Sequence, residues 1–191
     1  MSDESSPSSN LNLPNQITIA RLVISVLLFV FMSVHQFMPS LICFVLAAGT
    51  DWVDGYIARK YDLVTQLGRI LDPFADKILI CGIFIFLAAE PGSQIFAWMS
   101  VVIVGRELLV TALRSFLEQQ GGDFSAKMAG KLKMVFQCAA VIFSLLLLIQ
   151  GDAPSNALKL ATIGTVWLAI ASTLYSGVGY VLSAGRMMRH A

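Results

Sequence analysis

Four aspartates, Asp51, Asp54, Asp72 and Asp76, interrupt stretches that are otherwise apolar enough to lie in a membrane, LAAGTDWVDGYIARK and GRILDPFADKIL. An ionisable group in such a stretch is costly, so acids retained there are the first candidates for chemistry. Residues three apart on a helix lie about 60° from one another, and residues four apart about 40°. Each pair therefore presents both carboxylates on one helix face. The turn between them, about Lys60 to Arg69, is short enough to make the two helices antiparallel neighbours. Both pairs then lie toward the same end of a hairpin and converge. Four converging carboxylates repel one another unless protonation, Arg or Lys, or divalent cations neutralise them. Oxygen ligands without His or Cys suit Mg²⁺, Mn²⁺ or Ca²⁺ rather than zinc or copper. Two such cations a few Å apart serve in-line attack at phosphorus. The competing reading pairs the acids with Arg59, Arg69 and Lys77 to fix helix packing, but burying four acids for packing alone is costly.

Gly55 and Ala58 leave almost no side chain beside these acids, so a ligand can approach the helix backbone; close helix–helix packing would use the same small residues. Arg59 is placed to grip a phosphate or to anchor the helix at the membrane surface. A second charged group lies in IFAWMSVVIVGRELLVTALRSFL, where Arg106 and Glu107 sit deep in an apolar run and Arg114 follows eight residues later. The two arginines are about 80° and ~12 Å apart along a helix. Both can border one cavity, and Lys127, Lys131 and Lys133 follow in the next connection. A cationic cluster beside a carboxylate hairpin suits an acceptor that carries its own phosphate. Lys127 and Lys133 are read mainly as positive-inside anchors.

The elements that must position these groups follow from composition. The chain has 191 residues, 57% of them hydrophobic and 13% charged, with a net charge of +1. Soluble domains carry about twice that charged fraction. Disorder, charge-driven nucleic-acid binding and a soluble globular fold are all disfavoured. Six apolar runs are long enough to cross a bilayer, which needs roughly 20 residues each. They span about Ile17 to Met38, Pro39 to Ala58, Ile70 to Ala89, Ile95 to Leu117, Met134 to Gln150 and Leu158 to Leu182. The expected fold is one all-α membrane bundle of six transmembrane helices over residues 11–191. Leu11 to Ala20 would begin with a short interfacial helix. Residues 1–10, MSDESSPSSN, are expected to be a disordered polar tail, too acidic for a signal or transit peptide. Cys43, Cys81 and Cys138 fall inside spans at no metal-ligand spacing.

Lys and Arg set the orientation. Arg21, Arg59, Lys60, Arg69, Lys77, Arg114, Lys127, Lys131, Lys133, Arg186 and Arg189 fall at one side, and Lys159 alone at the other. Both termini are therefore expected to be cytoplasmic.

The segment Asp51–x–x–Asp54–Gly55–x–x–Ala58–Arg59, then eight residues, then Gly68–x–x–x–Asp72–x–x–x–Asp76 resembles the signature of the CDP-alcohol phosphotransferases at all eight positions. At average residue frequencies the chance per start site is on the order of 10⁻⁹ or less. The resemblance implies transfer of a phosphatidyl or similar group from a CDP-linked donor to an alcohol, with release of CMP. It implies that Asp51, Asp54, Asp72 and Asp76 bind two divalent cations, Mg²⁺ or Mn²⁺. Asp76 would also be the catalytic base, and Asp54, Gly55, Ala58, Arg59 and Gly68 would line the CDP site. A carboxylate beside two cations is a weak base, so removing the proton also needs metal acidification of the alcohol.

Gly105–Arg106–Glu107–Leu108–Leu109–Val110–Thr111–Ala112–Leu113–Arg114 and Gly130–Lys131–Leu132–Lys133 are similar to the phosphatidylglycerophosphate-forming branch. Asn12–Leu13–Pro14–Asn15–x–x–Thr18–x–x–Arg21 and Asp72–Pro73–Phe74–Ala75–Asp76–Lys77 point the same way. That likeness implies CDP-diacylglycerol as donor and sn-glycerol 3-phosphate as acceptor, its phosphate held by Arg106, Arg114 and Lys131. It also implies a homodimer in a bacterial inner membrane with the site facing the cytoplasm, and no nucleic-acid partner. The rival readings are a CMP-forming cardiolipin synthase or an inositol-phosphate-type synthase. From a different class, a secondary transporter would use the same acids as ion sites.

Overall fold

The computed structural model describes the backbone over residues 13–61, 66–119, 128–151 and 153–188, and side chains over 16–50, 74–115, 132–151, 153–182 and 184–185. Among these residues the structure is wholly helical. The helices are α1 (Leu13–Ser33), α2 (Phe37–Tyr61), α3 (Gln66–Ala89), α4 (Ala97–Gln119), α5 (Met128–Gln150) and α6 (Asn156–Met188). Each apolar run expected from the sequence falls on one of them. Leu13 to Ala20 forms the opening of α1 without a break, so the separate interfacial helix expected there is absent among the described residues.

The first expected run also overshoots, because α1 stops at Ser33 rather than Met38. The stop is a hydrogen-bonded cap that hydropathy does not register. His35 adopts a left-handed φ of 54°. Its N–H donates to the Met32 carbonyl at 3.0 Å, and the Gln36 N–H to that of Phe31 at 2.9 Å. These are the two bonds of a Schellman motif, with His in the place usually held by glycine. Pro39 then falls in the first turn of α2, where its missing N–H costs nothing. At the start of α6 the Ser155 hydroxyl accepts from the Leu158 N–H at 3.2 Å, an N-cap.

Side-by-side packing orders the helices as a closed ring, α1–α2–α5–α6–α4–α3, with α3 also touching α5 and α2. The α1–α2, α3–α4 and α5–α6 turns meet at one end. There His35, Phe37, Glu90, Gln94, Gly151 and Lys159 line a cavity of about 550 Å³, and His35 Nδ1 lies 3.1 Å from Glu90 Oε1. Consecutive helices therefore alternate in direction.

The interior is divided along the ring axis. Nearer the three turns it is apolar, built from Leu28, Met32, Phe44, Ile83, Leu87, Met99, Ile103, Leu145 and Val166 among others. Toward the opposite end α1 buries Thr18 and Arg21, α4 Glu107, α5 Lys133 and Gln137, and α6 Thr173 and Ser176. Gln16–Ser33, Leu132–Gln150 and Asn156–Leu182 are long and apolar enough to cross a membrane, and Phe37–Thr50 forms a shorter apolar helix. The outer surface is apolar as well, with Val26, Val30, Ile42, Val101, Val135 and Leu160 more than half exposed. Helices apolar on both faces suit lipid outside and a packed core inside, so the fold is that of a membrane protein.

Gly82 marks a close approach of α3 to α1. A Cβ there would overlap the Phe29 ring, which stacks on Phe86 with centroids 5.4 Å apart. Gly82→Val should therefore destabilise the protein by about 1–3 kcal/mol, the usual cost of overpacking. Adding Phe29→Leu should recover part of that loss, as measured by thermal unfolding in detergent.

Candidate active site

The eight signature positions lie on the facing ends of α2 and α3. Asp51 is ten residues before the end of α2 at Tyr61, and Asp76 ten residues after the start of α3 at Gln66. Asp54 and Asp72 are seven and six residues from the same ends. At about 1.5 Å per residue, the two pairs share a depth in their helices. The sequence from Asp51 to Asp76 contains no His, Cys or Met. As a donor set it fits a hard divalent cation. The side chains of Asp51, Asp54, Gly55, Ala58, Arg59, Gly68 and Asp72 lie outside the described residues, as does that of Lys131 at the start of α5.

Asp76 is described and half-buried on α3. Its helix packs against both α4 and α5. The carboxylate hairpin thus lies beside a buried charged cluster. Glu107 is 6% exposed and Lys133 8%. The Lys133 ammonium donates to Glu107 Oε1 at 2.5 Å, and Arg106 Nη1 donates to the same oxygen at 3.1 Å. Arg106 Nη2 donates to the Ser176 hydroxyl at 2.6 Å. One turn deeper, the Gln137 amide donates to the Thr173 hydroxyl at 3.1 Å. Hydrogen-bonded charge pairs of this kind compensate the cost of removing the groups from water.

Lys133 is the clearest correction to the sequence reading. Expected as a surface anchor, it points inward and is held by Glu107. Arg106 likewise does not snorkel, since nine-tenths of its side chain is enclosed. Arg114, two turns nearer the helix end, is exposed, so the structure gathers Arg106 into the cluster and leaves Arg114 at the rim. Arg21, assigned to the inner helix end by the charge bias, is 1% exposed on α1. The missed signal was spacing: Thr18, Arg21 and Ser25, Lys133 and Gln137, and Thr173, Ser176 and Tyr180 each recur every three or four residues, marking an inward polar stripe.

The CDP-alcohol phosphatidyltransferase family model matches residues 11–175. The chain belongs to that family. It is a transferase of phospholipid synthesis. A Rickettsia bellii protein is 37% identical over 174 residues, covering 88% of this chain and 93% of the relative. A Bacillus subtilis protein is 36% identical over 184 residues with the same coverage. An Arabidopsis thaliana relative is 32% identical over 157 residues, covering 76% of this chain and 66% of its own. The first two are named CDP-diacylglycerol–glycerol-3-phosphate 3-phosphatidyltransferase, and the third carries the same name with the number 2.

In this family member Glu107 balances two buried cations. Glu107→Ala would strand both, and should cost about 3–5 kcal/mol of stability, as breaking a buried pair does. Adding Lys133→Met removes one stranded charge and should restore part of the thermal stability in detergent. A double variant no more stable than Glu107→Ala would count against the pair.

Proposed function

We propose that the enzyme transfers the phosphatidyl group of CDP-diacylglycerol to sn-glycerol 3-phosphate, giving phosphatidylglycerophosphate and CMP. The observation that carries the reading is the packing of α3, the helix bearing Asp72 and Asp76, against α4 and α5, which bury Arg106 and Lys133. A carboxylate group suited to metal-bound diphosphate thus adjoins a cationic one suited to a phosphorylated acceptor. The names of the relatives support this pairing of donor and acceptor.

Asp51, Asp54, Asp72 and Asp76 would hold two divalent cations, Mg²⁺ or Mn²⁺, which supply charge neutralisation at the diphosphate and acidify the acceptor alcohol. Gly55 and Ala58 leave room for the nucleotide against α2, with Gly68 at the start of α3, and Arg59 binds a donor phosphate. Arg106, Arg114 and Lys131 hold the acceptor's phosphate. The primary hydroxyl oxygen of the acceptor then attacks the β-phosphorus, the bond from that phosphorus to the CMP oxygen breaks, and Asp76 receives the hydroxyl proton. All six helices span the membrane in this reading, with both termini and the open end of the site on the cytoplasmic side of a bacterial inner membrane, following the bias of Lys and Arg. The working unit is a homodimer.

Purified protein in detergent with Mg²⁺ should release CMP from CDP-diacylglycerol when glycerol 3-phosphate is added. It should not do so with phosphatidylglycerol or inositol phosphate, and equal turnover with either would overturn the acceptor assignment. A chelator should abolish release, and excess Mg²⁺ or Mn²⁺ restore it. Asp51→Asn and Asp72→Asn should each lower turnover by about a hundredfold or more. Substantial turnover in either variant would refute the two-cation site.

A further inference from the structure

The Arg106 guanidinium is held from several directions, and most of the groups that hold it come from α6 rather than from its own helix. Ser176 accepts from Nη2 at 2.6 Å. The Tyr180 ring lies one turn further along α6, with its centroid 5.8 Å from the guanidinium carbon, within cation–π range. Between them Gly177 makes room for the arginine stem, since a Cβ at that position would come within 3.1 Å of Arg106 Cγ. Glu107 takes Nη1 on the remaining side. Two features of this arrangement point to a ligand. The Nε–H of Arg106 is buried and has no hydrogen-bond partner, although a buried donor is seldom left unpaired. Within the cluster, two cations, Arg106 and Lys133, share one carboxylate.

We propose that Ser176, Gly177 and Tyr180 form a cradle that positions Arg106 for the acceptor's phosphate, leaving its Nε–H for a phosphate oxygen. The inference rests on the functional reading above, in which Arg106 meets that phosphate. A free arginine side chain loses considerable rotamer freedom when it is fixed by a ligand. Fixing it beforehand removes that loss from binding, which is the general advantage of preorganisation. The ring and the hydroxyl also select the orientation of the guanidinium plane, on which two-point recognition of phosphate depends. α6 carries none of the signature aspartates and none of the three acceptor-phosphate residues, so its part in acceptor binding would be indirect. Ser176, Gly177 and Tyr180 are thus positioning residues, and their signature is a change in acceptor affinity with little change in donor affinity.

The test is a steady-state comparison of Ser176→Ala, Tyr180→Leu and Tyr180→Phe in detergent, with glycerol 3-phosphate and CDP-diacylglycerol varied in turn. Ser176→Ala and Tyr180→Leu should each raise KM for glycerol 3-phosphate roughly two- to tenfold, the scale of one side chain's ordering cost. In both, kcat and KM for CDP-diacylglycerol should stay within about twofold of wild type. Tyr180→Phe keeps the ring and should behave as wild type. Unchanged acceptor KM in both Ser176→Ala and Tyr180→Leu overturns the proposal. So does an equal rise in both KM values, or a loss of kcat together with thermal stability, either of which marks a general structural role. A wild-type enzyme inactive with glycerol 3-phosphate would refute the functional reading itself. An active wild type with unaltered variants refutes only the cradle.

Discussion

One carboxylate oxygen, Glu107 Oε1, accepts from both Lys133 and Arg106 in an interior built largely of hydrocarbon. Two cations cannot be buried there without an anion, and the anion cannot be buried without them. The three groups come from α4 and α5, which follow one another in sequence but are not neighbours in the ring, because α6 lies between α4 and α5. The shared oxygen therefore ties together helices that ring packing alone keeps apart. Ser176, hydrogen-bonded to Arg106, brings α6 into the same network.

The division of the interior into an apolar and a polar part has the same origin. Two buried hydroxyls in the apolar part reach main-chain carbonyls, Ser100 at Phe84 and Ser40 at Gln36. Such bonds satisfy a polar group without asking for a partner side chain. In the polar part, Arg106, Glu107, Lys133, Gln137, Thr173 and Ser176 bond to one another instead. Arrangements of that kind are worth having only when their members are satisfied together, by one another or by a ligand. The apolar part packs all six helices against one another, and the polar part sits on that support.

Much of this was legible in the sequence. Apolar runs located the six described helices, three of which hold a stretch long and apolar enough to cross a bilayer. The four aspartates fall on two of those helices, as their spacing predicts, with Asp51 and Asp54 on α2 and Asp72 and Asp76 on α3. What stayed hidden had local or tertiary causes. The end of α1 depends on His35 entering the left-handed region, while the residues around it continue the apolar pattern to Met38. The inward turn of Lys133 depends on Glu107, twenty-six residues earlier on a helix that α5 does not flank. Charge counting treats a lysine near a helix end as an anchor, and only the partner reveals otherwise.

The ring order explains why a chain with so few charged residues can keep two opposite kinds of site side by side. α2 and α3 are joined by a short connection, and both pack on α1, so the aspartates occupy one arc of the ring. The cationic cluster occupies the arc of α4, α6 and α5. α3 also touches α5 across the ring, which brings the two arcs together. In the proposed reaction the donor's diphosphate belongs with the acids and their metals, and the acceptor's phosphate with the cations. The attacking hydroxyl must then lie between the two arcs. A bundle that simply packed successive helices in order would set α4 against α5 and leave α6 outside. Placing α6 between them gives the Arg106 guanidinium a wall of its own, formed by a helix that carries none of the signature acids.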